Sequence, residues 1–293
     1  MKAKGKKIEK KSSTEKVEEL FDALKEGVAN FEYSIEYFKA ILEMKSLMPN
    51  YSYRNLLVAK QQLPNATFLA SYKHWQSLGR HVGGQKAIRI FKPCFKKVES
   101  QKDGGLVEES KLYGFVTVPV FDVSQTKGAP LPIDKIQLSL EGESEEARRI
   151  MEFAKIFAKE HDCPIRYSDD TNGAKGYYSI TRNEIVIATG NSINQQAKTM
   201  VHELVHMLVD RWDNERTSKE KEVVAESTAY VVCRYFGLDT SSYSFEYVKG
   251  WSNKDEEAVM TYGERICDIS KQFIKRFEEF EADCNESNVS LAS

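Results

Sequence analysis

A helix that carries the segment His-Glu-Leu-Val-His constrains the fold of this chain more than any other feature of its sequence. His202 and His206 are four residues apart, so in a helix both imidazoles project from one face and can bind the same metal ion. Glu203 follows the first histidine and could reach a water molecule on that metal. The valine and leucine residues of the segment occupy the other faces, which predicts that the helix is anchored in a hydrophobic core.

A catalytic metal site requires a third protein ligand and an open coordination position. The next predicted helix supplies two carboxylates on one face, because Glu222 and Glu226 are also four residues apart. One of them would bind the metal, and the other would accept a hydrogen bond from a ligating histidine and fix its orientation. Spacing alone leaves open which carboxylate has which role.

With Zn²⁺ bound, these residues predict metal-assisted hydrolysis of a protein or peptide substrate. Zinc lowers the pKa of its water to about 7, and Glu203 would take the proton and pass it to the leaving amine. A hairpin predicted at residues 176–180 and 184–188 precedes the helix, and its second strand is predicted to be a sheet edge that pairs with an extended peptide. Two alternatives stay open: the histidines are incidental, or a metal is bound without hydrolysis.

A second informative feature is a segment without acidic residues. The 293-residue chain has a net charge of −2, yet residues 51–97 contain nine lysines and arginines, seven aromatic residues and no Asp or Glu. Cations neutralise phosphates and flat rings stack on unpaired bases, which favours single-stranded nucleic acid as a partner. The alternative is that the rings form a core and the lysines only solubilise the protein. The candidate residues are Tyr53, Arg54, Lys73, Trp75 and Arg80.

The pattern of helices and strands predicts an α+β protein with two domains. Residues 1–14 are predicted to be a flexible basic tail. Residues 15–123 combine amphipathic helices with two strands, at 87–95 and 112–123, and form the first domain. Residues 124–135 have the composition of a linker. Residues 136–293 form the second domain, which carries the predicted metal helix.

Composition excludes several classes of protein. No apolar run approaches the ~20 residues of a membrane span, and the lysine-rich start lacks the apolar stretch of a secretory signal. The five cysteines are odd in number and form no Cys-x-x-Cys pair, which favours free thiols in a reducing compartment over a disulfide framework. The sequence therefore predicts a cytoplasmic protein that does not enter a membrane.

Two regions of the chain resemble a known family, from about Glu15 to Ile274. The N-terminal domain of ArdC-type antirestriction proteins and LtrC-like plasmid proteins is similar to Tyr-Ser-Tyr-Arg-Asn-Leu-Leu at 51–57 and to Ser-Tyr-Lys-His-Trp-Gln-Ser-Leu-Gly-Arg at 71–80. The zincin-like peptidase domain of the same family is akin to the ImmA/IrrE metallopeptidases. It is similar to His-Glu-Leu-Val-His at 202–206 and to Glu-Val-Val-Ala-Glu at 222–226.

This resemblance implies a helical, small-sheet domain that binds single-stranded DNA, followed by a zincin-like metallopeptidase domain, on a plasmid or conjugative element. Family members are thought to protect incoming DNA from host restriction. The DNA-binding motif of the family matches Arg54, Asn55, Trp75 and Arg80. The zinc ligands match His202, His206 and Glu222, the catalytic carboxylate matches Glu203, and Glu226 is left to orient a ligand.

Two rival functions remain at this point. The chain could be a regulatory zinc protease that cleaves a repressor protein, or a DNA-binding module in which zinc is purely structural.

Overall fold

The computed structural model describes residues 11–29, 34–102, 105–131, 144–210, 218–238 and 256–291. By contact they divide into two compact units, the first within residues 1–31 and 54–129 and the second within 32–53 and 130–293. Each unit combines helices with small sheets, so the predicted α+β class is confirmed. The elements in chain order are α1 (Ser13–Ala29), α2 (Ile35–Leu47), α3 (Tyr53–Gln62), β1 (Leu69–Ala70), α4 (Tyr72–Ser77), β2 (Arg80–Val82), β3 (Ile88–Lys102), β4 (Gly105–Asp122), a 3₁₀ turn (Val123–Gln125), β5 (Thr126–Gly128), α5 (Glu145–Glu160), β6 (Ile165–Ser168), β7 (Gly176–Ser179), β8 (Glu184–Ala188), α6 (Ile193–Asp210), α7 (Ser218–Tyr235) and α8 (Glu256–Leu291).

The first unit is built on a long antiparallel hairpin of β3 and β4. Helix α1 packs against this hairpin through Phe21, whose ring centroid lies 4.4 Å from that of Phe91 and 5.9 Å from that of Phe115. Strand β1 pairs with the end of β4, and β2 pairs with β5. Asp122 is fully buried where β4 ends, and its carboxylate accepts hydrogen bonds from two backbone N–H groups of the segment before β1. This buried acceptor fixes the start of β1 against the end of the hairpin.

The second unit surrounds one hydrophobic core with helices and a small sheet. Helix α5 begins after Ser144, whose hydroxyl accepts the backbone N–H of Ala147 at 3.1 Å. Its buried face packs with α2, α6, α7 and α8. In the sheet, the strand order is β6-β8-β7, with β6 parallel and β7 antiparallel to β8. The hairpin predicted at residues 176–180 and 184–188 is present as β7 and β8.

Among the described strands of this sheet, β7 is an edge and β8 is central. The prediction that the second hairpin strand is the edge is therefore wrong. The cause is β6, a four-residue strand that pairs in parallel with β8 from Ile165 opposite Ile185 to Ser168 opposite Ala188. The first hairpin strand, β7, is left with one unpaired side.

The structure also corrects the predicted domain boundaries. Helix α2 belongs to the second unit, because Phe38 and Leu42 are fully buried in the core of that unit. Residues 124–129 belong to the first unit, since β5 pairs with β2 through Thr126 opposite Val82. Residues 132–135 of the predicted linker and residues 1–10 of the predicted tail lie outside the described residues, and α1 already begins at Ser13.

Within the described residues, none of the helices has both the length and the hydropathy needed to cross a membrane.

Candidate metal centre

Helix α6 carries the His-Glu-Leu-Val-His segment in the register that the sequence predicts. The hydroxyl of Ser192 accepts the backbone N–H of Gln195 at 3.3 Å and supports the first turn. On the buried faces, Val201, Leu204 and Val205 are at most 2% exposed. The helix is therefore held by its apolar residues, which leaves the face with the two histidines free for chemistry.

The two histidines face each other and a carboxylate of α7. The Nε2 atoms of His202 and His206 lie 3.1 Å apart. Glu222 places one carboxylate oxygen 3.3 Å from Nε2 of His202 and the other 3.3 Å from Nε2 of His206. One ligand atom from each of the three residues lies within 4.8 Å of the other two. The structure thus brings together the three side chains predicted as metal ligands.

The opposite ring nitrogens bind two other carboxylates. Nδ1 of His202 lies 3.2 Å from an oxygen of Glu226, and Nδ1 of His206 lies 3.0 Å from an oxygen of Asp210. A carboxylate at Nδ1 holds the proton on that nitrogen and leaves the Nε2 lone pair directed at the site. In this geometry Glu222 lies beside both Nε2 atoms, where a ligand would stand, and Glu226 lies at Nδ1 of His202, where an orienting carboxylate would stand.

Asp210 was missed by the sequence analysis. Its signal was nevertheless present, because Asp210 lies four residues after His206 on the same helix and therefore on the same face.

The charge distribution of the site fits a cation. Burial disfavours a protonated His202, but the hydrogen bonds that its ring donates to Glu222 and Glu226 outweigh burial and raise the pKa of His202 to about 10. Burial likewise opposes protonation of His206, while Asp210 and Glu222 raise its pKa to about 9. The two histidines hold the pKa of Glu222 well below its usual range. Two imidazoles and one carboxylate are a ligand set that suits Zn²⁺ and related divalent ions, so the residues fit a metal.

Glu203 lies beside these ligands in a more buried position. It is 8% exposed, and burial raises its pKa, although the neighbouring His202 and His206 act in the opposite direction. The backbone N–H of Tyr178 donates a hydrogen bond to its carboxylate. A carboxyl group that is held in place and has a raised pKa suits general acid–base chemistry near neutral pH.

A cleft of about 250 Å³ lies next to the histidines, between α6 and strand β7. Its lining includes Lys175, Gly176 and Thr199 together with His202, Glu203 and Glu226. The carbonyl of Lys175 accepts a hydrogen bond from Ala188, so the peptide groups of Lys175 pair with the sheet. In an antiparallel ladder the next residue faces the other way, so the N–H and C=O of Gly176 are directed to the open side of β7.

Two of the residues predicted to bind nucleic acid are instead core residues. Trp75 is 0% exposed, stands edge-on to Phe68 and donates its indole N–H to the carbonyl of Phe121 at 2.9 Å. Tyr53 is 1% exposed and its ring lies against Gly263. The predicted stacking of bases on these two rings is therefore corrected, because neither ring has a free face.

The polar residues predicted to bind nucleic acid fall into two groups: side chains that hold the fold together and side chains that are exposed. The amide of Asn55 exchanges two 2.9 Å hydrogen bonds with the backbone of Phe91 and braces α3 against β3. Arg80 donates to Thr126 at 2.8 Å and so ties β2 to β5. Arg54 and Lys73 are exposed. Of the predicted set, these two remain placed to contact a nucleic acid.

Antirestriction protein ArdC of plasmid R388 has the same fold as this chain. The metal-free crystal structure of ArdC matches with a TM-score of 0.54 at 18% identity, over 89% of this chain and 98% of ArdC. The Mn(II)-bound crystal structure matches with a TM-score of 0.51 at 19% identity, over 88% of this chain and 97% of ArdC. The resemblance to ArdC-type proteins is thereby confirmed at the level of the fold.

A second comparison comes from sequence alone. An uncharacterized protein of Bacillus anthracis is 24% identical over 290 residues, which cover 85% of this chain and 48% of that protein. The chain therefore spans about half the length of this relative. No protein-family model matches the sequence.

Proposed function

We propose that this chain is an antirestriction protein of a plasmid or conjugative element that combines a zinc-dependent peptidase unit with a unit that binds single-stranded DNA. The observation that carries the peptidase part is the convergence of His202, His206 and Glu222 beside a buried Glu203, in a cleft bordered by an edge strand. The fold shared with ArdC supports the antirestriction part. The acid-free, basic segment at residues 51–97 supports the nucleic-acid part.

Each residue of the cleft has a role in this proposal. His202, His206 and Glu222 would hold the ion, which when bound supplies Lewis-acid chemistry toward a water molecule and a peptide carbonyl. The Glu203 carboxylate accepts a proton from the attacking water and donates it to the amine of the departing peptide. The peptide groups of Gly176 pair with the backbone of an extended substrate and hold it across the cleft.

The three candidate ligands suit several divalent ions, so the ion that the protein binds has to be measured. A crystal structure of R388 ArdC contains Mn(II), whereas two histidines and a glutamate are also a common zinc ligand set. Elemental analysis of purified protein gives the ion that is loaded. The paired functional test is transfer of an element that carries this gene into a restricting and a non-restricting recipient. Unchanged transfer to both recipients when the gene is deleted would contradict the antirestriction proposal.

A purely structural role for the metal is disfavoured by packing. The two ligand-bearing helices already meet through residues with no exposed surface, including Leu204, Val205, Val224 and Ala225. A core of this kind does not need an ion to join its helices, in contrast to small domains that fold only with zinc.

Removing either carboxylate at Nδ1 is expected to weaken metal binding without removing a ligand. Glu226→Gln and Asp210→Asn replace an ionised acceptor of the imidazole N–H with a neutral one. Loss of such partners costs about 10- to 100-fold in metal affinity. Competition titration with a chelator measures the effect, with Asp268→Asn, an exposed carboxylate of α8, as the control. An Asp210→Asn variant with unchanged affinity would contradict the orienting role of Asp210.

Metal affinity is also expected to fall as the pH falls. The pKa values of His202 and His206 are raised to about 10 and about 9, so in the absence of metal the pair holds a proton at neutral pH. The 3.1 Å between the Nε2 atoms accommodates one shared proton, which the ion must displace. Glu222, Glu226, Glu203 and Asp210 face the pair; the lowered pKa of Glu222 means that it releases no proton on binding.

The direction in which metal affinity changes with pH follows from this proton balance. Displacing one proton makes the apparent affinity fall about tenfold for each pH unit below the raised pKa, and affinity levels off above it. Chelator competition across neutral pH, with proton release measured by calorimetry in buffers of different ionisation enthalpy, tests this. Affinity that does not change with pH would show that the histidine pair holds no proton.

A further inference from the structure

The β3–β4 hairpin exposes three large apolar side chains. Phe95 is 57% exposed, Leu112 is 45% exposed and Tyr113 is 64% exposed. Phe95 and Leu112 are directly opposite each other in the register of the hairpin. We call these three residues the hairpin patch.

The patch coincides with an irregularity in the strand pairing. Cys94 pairs with Gly114, but Phe95 pairs with Leu112, so Tyr113 is an extra residue on β4. A bulge of this kind bends the strand and changes the direction of a side chain. Here it adds the ring of Tyr113 to the Phe95–Leu112 pair. The ring of Tyr113 does not pack toward α1: it is the most exposed large apolar side chain of the described residues.

Three lysines of the same hairpin have no counter-charge among the described residues. Lys96 and Lys111 are directly opposite each other, and Lys92 lies four pairs closer to the core end of the hairpin. All three are exposed, and within the described part of the chain no ion pair or hydrogen bond engages their amines. Glu109, opposite Val98, marks the far end of this lysine-rich stretch.

Both features cost stability in the isolated protein. Like charges directly opposite in an antiparallel pair are destabilising, and exposed rings forgo the gain from burial. Neither feature is required by the packing of the hairpin, which is anchored to α1 nearer its base through Phe91 and Phe115. A partner that supplies negative charge and flat apolar surfaces would offset both costs at once.

Unpaired nucleotides have this combination of properties. Their phosphates neutralise lysines, and their bases stack on aromatic rings without sequence preference. In a duplex the bases already stack on one another, so the rings of Phe95 and Tyr113 would gain no partner. The ribbon is two strands wide at this point, and lysine side chains are long and flexible, so they can reach phosphates along either edge.

We propose that single-stranded nucleic acid binds along the β3–β4 hairpin, with bases stacked on Phe95 and Tyr113 and phosphates paired with Lys92, Lys96 and Lys111. This inference rests on the proposed DNA-binding function and locates it. It replaces the buried rings Tyr53 and Trp75 with two exposed rings of the first unit.

The test separates stacking from charge with two variants of the full chain. Phe95→Ala/Tyr113→Ala removes the rings, and Lys96→Gln/Lys111→Gln removes the opposed cations. The matched control is Tyr72→Ala, which removes a 47% exposed ring of the same unit that lies beside Phe121 at the end of β4 and outside the hairpin patch. Binding of fluorescent oligothymidylate, of a duplex and of an abasic strand of equal length is titrated across a range of salt concentrations.

The ring variant should bind oligothymidylate about tenfold or more weakly and should bind the abasic strand as the wild type does, since each stacked base contributes strongly. For the lysine variant, the slope of log affinity against log salt should fall in magnitude by about 1.4, corresponding to two phosphates on a single strand. Its thermal midpoint should rise, because a repulsive pair is relieved. A folding defect would instead lower both affinity and midpoint.

Three outcomes would each contradict a different part of this proposal. A wild-type chain that fails to bind oligothymidylate removes the DNA-binding function itself. If the wild type binds and the hairpin variants bind equally well, while Arg54→Ala/Lys73→Ala does not, then the function stands and the hairpin is the wrong surface. If the hairpin variants lost the same amount of affinity for duplex as for single strands, the contact would involve charge without stacking.

Discussion

Replacing Glu203 with glutamine is expected to abolish peptide hydrolysis while leaving the metal bound. General acid–base catalysis by a positioned side chain contributes about 10²- to 10⁴-fold to rate, and this is the loss we expect for Glu203→Gln in the turnover of an unfolded protein substrate. Glutamine has nearly the same shape but cannot accept and return the proton. The effect should fall on kcat, because Glu203 is not needed to hold the substrate in the ground state.

The geometry explains why the metal should remain. The ligand atoms belong to His202, His206 and Glu222, and Glu203 is not among the three that converge. The amide oxygen of glutamine can still accept the backbone N–H of Tyr178, so the side chain keeps its anchor. Metal content and thermal midpoint of Glu203→Gln should therefore match the wild type, whereas His202→Ala/His206→Ala should lose the ion.

This comparison also distinguishes the rival functions. A structural metal predicts that Glu203→Gln has no effect on any activity and that the double histidine variant unfolds the second unit. A protease that acts on a repressor predicts that Glu203→Gln abolishes cleavage but leaves DNA protection unchanged. If Glu203→Gln retained full hydrolysis with metal bound, the catalytic assignment would be wrong and another carboxylate of the cleft would have to be sought.

The candidate metal centre could be predicted from sequence because its candidate ligands follow local rules. A spacing of four residues places two side chains on one helical face whatever the rest of the fold does, and this rule identified His202 with His206 and Glu222 with Glu226. It could not rank Glu222 against Glu226, because the rank depends on how α7 lies against α6. That arrangement is set by packing of both helices in the core.

The proposed nucleic-acid surface could be predicted only as a segment, not as a set of side chains. Composition gives the number of rings between residues 51 and 97 but not which rings are buried. Trp75 lies in a six-residue helix whose burial depends on β4, a strand more than thirty residues away in sequence. Tyr113, in contrast, lies outside the acid-free segment and was never a candidate, since only strand register reveals that it is the extra residue of a bulge.

Strand order escaped prediction for the same reason. Two short strands joined by a turn predict a hairpin, and β7 and β8 form one. Which of them is an edge depends on β6, a strand of only four residues whose parallel pairing with β8 is not specified by any local pattern. Residues 32–53 were placed in the wrong unit because chain order was used as a guide to contact. Helix α2 instead packs in the core of the second unit, because its apolar residues Phe38 and Leu42 are buried there.

Replacing Gly263 with alanine is expected to destabilise the second unit, against the usual effect of this change. Glycine inside a helix normally costs about 1 kcal/mol relative to alanine. At this position, however, a Cβ atom would lie 2.2–2.4 Å from three ring atoms of Tyr53. The ring is 1% exposed and has no space to retreat, so we expect an overpacking cost at the upper end of about 1–3 kcal/mol, which exceeds the gain in helix propensity.

A double-mutant cycle separates the two contributions to this result. In a Tyr53→Ala background the clash is absent, so Gly263→Ala should there stabilise the protein by about 1 kcal/mol, as helix propensity alone requires. Gln272→Ala, at an exposed position of the same helix, controls for propensity in α8. Chemical denaturation of the four variants of the cycle measures the free energies of unfolding. If Gly263→Ala stabilised both backgrounds equally, Tyr53 would not be packed against α8, and its removal from the set of DNA-binding candidates would lose its physical basis.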